Sequence, residues 1–450
     1  MTPSFEEKQV SSLLQSFPTL RMEEEKQREV IQQLRREKEL LKKRRGRAAY
    51  RYVIGGGGVA ALLGMLWFAS PFLPSPSSLA PAHSGGQSTQ AARADVNGQP
   101  AEAGKEAAVL TIDAQIQTSI EQTIAKTFDA VHPERMTVIV SDPGTGEILA
   151  IGSRSKNGAT DDAERFAAAG KAQPNPGAAY QIVTLAAAIQ EGKFDPREIY
   201  ESGTYKGIPG EPIKDFNNGI GWGKITFLEG FLRSSNVAFA KLVHERLHGD
   251  TLLEYFERFG FGRETGVEAA NEEAGKLPNM DEPRQAALAA TGLGGAATPL
   301  QQMAAVGAIA NGGKLMQPHL YKQAGTDEHN RYMVRQVVSE ETARKVRDML
   351  ESVVTSARGS GIGLGLPNVT VAAKHSVVEK TDPKGKALDG KYTVSVIGFA
   401  PSDQPKVLVY VEIDEPQSEL PVVGWKKVVA PPFQEVLSNS LQHVQQLQKR

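Results

Sequence analysis

The sequence contains no cysteine. Disulfides, thiolate metal sites and cysteine nucleophiles are therefore excluded, and the chain suits either side of a membrane. Aromatic residues are sparse at 6%, and no charge dominates: the formal net charge is -1. No global field recruits nucleic acid. The hydrophobic share, 40% of 450 residues, still allows a substantial core and two or three domains. Near-neutrality hides an asymmetry, because residues 1–51 carry 13 Lys or Arg against 8 Asp or Glu.

Long apolar runs are equally scarce, and one stands out. Tyr52 to Leu73 reads YVIGGGGVAALLGMLWFASPFL without a formal charge. As a helix it reaches about 33 Å, the depth of a bilayer core. The flank LLKKRRGRAAYR on its N-terminal side places that side in the cytoplasm and the remainder outside. Residues 1–51 are thus expected to be a cytoplasmic, basic, helical segment. Within it Val30, Leu34 and Leu41 form a narrow apolar stripe suited to a protein partner's helix. Residues 74–107, rich in Pro, Ser, Ala and Gly, read as a disordered tether spanning about 30–35 Å. Residues 108–450 form the extracytoplasmic domain.

That domain opens with a helix in which Ile116, Ile120 and Ile124 share one face and Asp113 is placed to cap. MTVIVSD and EILAIGS, separated by PGTG, predict a hairpin. YTVSVIGFA and KVLVYVEID predict a second strand pair. Between them lies a helical region containing Ile182–Ile189, Thr226–Leu247 and Thr298–Ala310. Strands at both ends around a helical middle imply an α+β fold, an antiparallel sheet packed with helices plus an all-helical lobe.

DPGTGEILAI, PNPGAAYQIVTLAAAIQEGKFDP, ITFLEGFLRSSNVAFAKL, TPLQQMAAVGAIANGGKLMQPHL and IGFAPSD follow one another in this order. Together they resemble the transpeptidase domain of the penicillin-binding proteins, a serine acyltransferase fold shared with the serine β-lactamases. The resemblance covers roughly residues 109–437. It implies a Ser-x-x-Lys at the start of one helix, where the serine attacks a carbonyl and the lysine takes its proton. The matching residues here are Ala178 and Gln181. Alanine carries no nucleophile, and a neutral amide is no base. The family's Ser-x-Asn matches Ser234 and Asn236, while its Lys-Thr-Gly-Thr matches Lys374, His375, Ser376 and Val377. The glycine that admits the ligand has become a serine, and the hydroxyl that grips its carboxylate a valine.

These losses imply a pseudoenzyme: a single-pass membrane protein with a scaffold or sensor role in peptidoglycan synthesis. Its expected partners are cell-wall synthesis proteins or peptidoglycan precursors, with no cofactor. One alternative is an active D,D-transpeptidase using another nucleophile, such as Ser234. A remote one is a zinc peptidase through HERLH, since His-Glu-x-x-His puts two imidazoles on one helix face. Against it, Phe239, Val243 and Leu247 mark the buried face, and His244 and His248 lie about 100° round from it. The segment RGSGIGLGLP, Arg358 to Pro367, lacks nucleotide-loop spacing and reads as a mobile loop before the Lys374 strand.

Overall fold

The computed structural model describes residues 109–449, except 160–161, 269–270, 323–330, 383–386 and 418–423. The cytoplasmic segment, the span and the tether expected at 1–107 lie outside the described residues. Among the described residues no helix is long and apolar enough to cross a membrane.

The first helix, α1 (Ala114–Val131), forms as its spacing requires. Asp113 accepts hydrogen bonds from the amides of Gln115 and Ile116, and Ile116, Ile120 and Ile124 are buried. These bonds satisfy two of the amides that a helix start leaves unpaired. The expected hairpin follows as β1 (Arg135–Ser141) and β2 (Ile148–Ser155), with a short β3 (Gly158–Ala159) beyond. Asp142 Oδ1 accepts the Gly144 amide at 2.7 Å in the connecting turn.

The helical lobe contains α2 (Ala178–Gln190), α3 (Phe227–Leu232), α4 (Asn236–Leu242), α5 (Gly249–Arg258), α6 (Pro283–Ala290), α7 (Pro299–Ala310) and α8 (Glu340–Thr355). Thr298 and Gln301 close a reciprocal capping box on α7. Within the helical stretch Thr226–Leu247, α3 and α4 are separated at Arg233–Ser235, where Ser234 takes φ 55°.

The chain returns through β4 (Ala372–Thr381), β5 (Ala387–Ala400) and β6 (Val407–Asp414), and then enters α9 (Trp425–Leu447). The strands form one antiparallel sheet in the order β4-β5-β6-β1-β2-β3, with β4 at its edge. Both faces of the sheet are covered, so its central strands are apolar on both sides. Val138, Val140, Val396, Val409 and Val411 pack with α1 and α9. Ile139, Ile151, Ile397, Phe399 and Leu408 face the helical lobe. This is the expected α+β architecture, with the helical lobe held against the edge strand that carries Lys374.

Candidate active site

The start of α2 is built from backbone. Asn175 (φ 59°) and Gly177 (φ 59°) both take left-handed conformations. The Asn175 amide donates to Gly295 O at 3.1 Å and the Gly177 amide to Gly292 O at 3.0 Å, while Asn175 Oδ1 accepts the Gly294 amide at 2.7 Å. Gly177 caps the helix without a side-chain bond, and Ala178 begins it buried. One turn on, Gln181 is buried and its Nε2 donates to Thr291 O at 2.8 Å. An amide that could take no proton serves instead as a tie to the start of the 291–295 turn. The neighbouring Tyr180 is fully buried, and burial drives its phenol well above the ordinary value. It offers no substitute nucleophile.

Strand alternation divides the next four residues between two faces. Lys374 pairs in register with Ile397 and Ser376 with Ser395, and both point toward the helical lobe. His375 and Val377 point the other way. Val377 packs against the apolar layer of α1 and α9, and His375 stacks on Trp425 with ring centroids 3.7 Å apart. Burial, aided by Lys374 and Lys426, holds the His375 imidazole well below its ordinary pKa, so it stays neutral. The cleft face therefore receives only Lys374 and Ser376 of the four.

Ser376 closes the groove against α2. A methyl group placed on Gly177 would lie 2.1 Å from Ser376 Oγ and 2.6 Å from its Cβ. The strand and the helix start are thus in contact where a ligand would need room. A cavity of about 80 Å³ lies farther along the sheet, lined by residues including Gln173, Asn175, Ser376, Tyr410 and Glu412. Neither Ala178, Ser234 nor Lys374 lines it. Gly177→Ala should therefore destabilise the fold by about 2–4 kcal/mol, combining left-handed strain with overpacking. Urea denaturation checks this. Adding Ser376→Gly should recover the packing part and leave the backbone part.

Lys374 is fully buried, its Nζ donates to Ser234 Oγ, and the Phe231 ring centroid is 5.0 Å away. Burial lowers its pKa to about 7. Ser234 Oγ also lies 3.3 Å from Ser360 Oγ. The RGSGIGLGLP segment is therefore tied down where a mobile loop was expected: Ser360 donates its amide to Leu232 O at 2.8 Å, and Gly361 to Val353 O at 3.1 Å.

The remaining motif residues serve the lobe. Asn236 Nδ2 donates to Lys214 O at 2.9 Å. Ser235 caps α4, receives the Tyr200 hydroxyl at 2.7 Å and donates to Asp215 Oδ1 at 2.8 Å. Asp215 is buried and also accepts the amides of Gly203 and Val237. This Asp215–Ser235–Tyr200 network shapes the turn that presents Ser234. It was not foreseen, because an Asp in KDFNNG has no local mark separating it from an ordinary turn residue.

HERLH does not form an α-helix. Val243–Leu247 is a single π-helical turn, and it ends before His248, which has φ 66°. His244 Nδ1 instead meets the Tyr205 hydroxyl at 2.8 Å. The two imidazoles thus lack the i, i+4 helical relation that the zinc reading requires, and no group of residues suited to a metal occurs among the described residues.

The penicillin-binding protein transpeptidase domain model matches residues 136–437. Stage V sporulation protein D of Bacillus subtilis is 33% identical over 349 residues, covering 74% of this chain and 53% of the relative. Penicillin-binding protein PbpB of Mycolicibacterium smegmatis is 30% identical over 328 residues, covering 68% and 50%. The chain spans about half the length of these curated relatives. The transpeptidase domain of penicillin-binding protein 3 from Burkholderia pseudomallei superposes with a TM-score of 0.66 at 25% identity, covering 77% of this chain and 98% of that one. Fold, motif order and sequence agree: the chain belongs to the penicillin-binding protein transpeptidase family.

Proposed function

We propose that the chain is a membrane-anchored, non-catalytic member of this family that acts as a scaffold or sensor in peptidoglycan synthesis. The observation that carries this reading is the start of α2. Ala178 and Gln181 supply neither nucleophile nor base, and Ser376 fills the approach to Gly177. The uncharged Tyr52–Leu73 run with its basic flank supports anchoring, with the C-terminal domain outside the membrane. A protein of the cell-wall synthesis machinery is the favoured partner over a peptidoglycan precursor. Asn236 already spends an amide hydrogen on Lys214 O, and Val377 faces away from the cleft.

Calorimetric titration with a pentapeptide ending in D-Ala-D-Ala tests the choice. An affinity no better than about 1 mM, near -4 kcal/mol, is expected. Low-micromolar binding that Asn236→Ala abolishes would make the domain a precursor receptor instead.

A further inference from the structure

The lobe-facing side of the sheet carries one polar row that the scaffold reading leaves unused. Ser376 pairs in register with Ser395, Ser395 with Glu412, Glu412 with Thr137 and Thr137 with Ser153. Adjacent strands thus set polar residues on a face otherwise built from Ile139, Ile151, Ile397 and Leu408. Buried polar groups in such a core call for partners. Thr137 and Ser153 meet each other, with their hydroxyl oxygens 3.4 Å apart. Ser376, Ser395 and Glu412 instead line the cavity of about 80 Å³, which residues 173–176 wall on its other side.

Glu412 is 4% exposed and short of hydrogen bonds. Its Oε2 accepts the Tyr410 hydroxyl at 2.6 Å, whereas Oε1 faces Arg135 at 3.6 Å, outside hydrogen-bond range. A carboxylate has room for about four such bonds. The lining carboxylates Glu379, Glu412 and Asp414 outnumber the one lining cation, Lys380, which Asp414 shares with Glu415. The wall stays negative even with Arg135 counted. No group of residues suited to a metal occurs among the described residues, so an organic cation fits the site.

We propose that this cavity, separate from the start of α2, binds the ammonium group of a slender primary amine. Ser395 and Glu412 lie on neighbouring strands, about 4.8 Å apart. A nitrogen set between them reaches both oxygens at about 2.8 Å and keeps a third hydrogen for Gln302, which is buried at the wall on α7. The volume holds roughly five to eight water-sized groups, enough for a short straight chain and too little for a branched one. Pro174, Glu379 and Thr381 are exposed and mark the mouth, so the chain behind the amine leads out to solvent.

The test titrates the full-length chain with propylammonium chloride, followed by ligand-observed NMR and thermal melts. Propanol, sodium propionate, potassium chloride and tert-butylammonium chloride are the controls. Propylammonium is expected to bind at about 1 mM, the scale for four non-hydrogen atoms, with no response to the controls. Glu412→Gln and Ser395→Val should each weaken it about 10–100-fold, the effect of one hydrogen bond to a charged group. If Glu412→Gln does not fold, because Arg135 is left unpaired, Ser395→Val at a partly exposed position decides. Binding of propanol or potassium to the same extent, an affinity unchanged in the folded variants, or no binding at tens of millimolar would each overturn the site.

Discussion

A fluorescent penicillin should leave the full-length chain unlabelled, and restoring the first motif alone should not change that. Labelling requires a nucleophile at the α2 start, a base one turn later, and room for the bicyclic ligand along β4. Ala178 and Gln181 remove the first two, and loss of such a unit costs on the order of 10⁶ in rate. Ala178→Ser with Gln181→Lys would return the chemistry but not the room, because Ser376 still lies against Gly177. The double variant is therefore expected to stay unlabelled, whereas the triple variant adding Ser376→Gly should acquire a covalent adduct. The replacement itself weakens the strand by roughly 0.5–1 kcal/mol, which the fold can bear. Gel fluorescence and intact mass report the result. A stoichiometric adduct on the unmodified chain would refute the pseudoenzyme reading, and labelling of the double variant would refute the steric part.

The layers of this fold were legible because local signals agreed with the tertiary structure. Asp113, the isoleucines of α1 and the alternating strands each say the same thing at two levels. The α3–α4 break was not legible. Helical residues flank Arg233–Ser235 on both sides, and Asp215, 20 residues earlier, together with Tyr200 holds Ser235 out of a helix. The family's motifs located the candidate site but not its geometry. Their order placed Lys374 beside the Ser234 turn, yet the partnership of Ser234 with Ser360 joins residues 126 apart. Nor did spacing announce the contact of Ser376 with Gly177, which depends on how closely two separate elements approach. The C-terminal helix shows propensity overridden by packing: Pro431 and Pro432 lie inside α9, where Phe433, Val436 and Leu437 bury against the sheet. In HERLH the residue types are right, but the π turn changes the angular relation on which the zinc pattern rests.

Replacing Lys374 by methionine should stabilise the protein at neutral pH and remove part of its pH dependence. The amine is fully buried, and burial lowers its pKa from 10.5 to about 7. Between those values the unfolded chain holds a proton that the folded chain does not. Wild-type stability should therefore rise as pH increases from about 7 to 10.5, with the full cost of burying the lysine borne at the lower end. At about 1.4 kcal/mol per pKa unit, that cost is about 3–5 kcal/mol. Methionine fills similar space without a charge, but it gives up the hydrogen bond to Ser234, worth about 1 kcal/mol. Ser360 remains beside the serine hydroxyl, so that loss is not compounded by leaving it without a neighbour. The expected net gain is about 2–4 kcal/mol at pH 7 and falls through zero to a net loss of about 1 kcal/mol as pH approaches the unperturbed lysine value near 10.4, where only the lost hydrogen bond remains. Urea denaturation of both proteins at pH 7, 8.5 and 9.5 measures it. Taking the difference between the two proteins cancels the titration of the phenols they share. Equal slopes in the two proteins, or a loss of several kcal/mol at pH 7, would mean that Lys374 stays charged in the folded state.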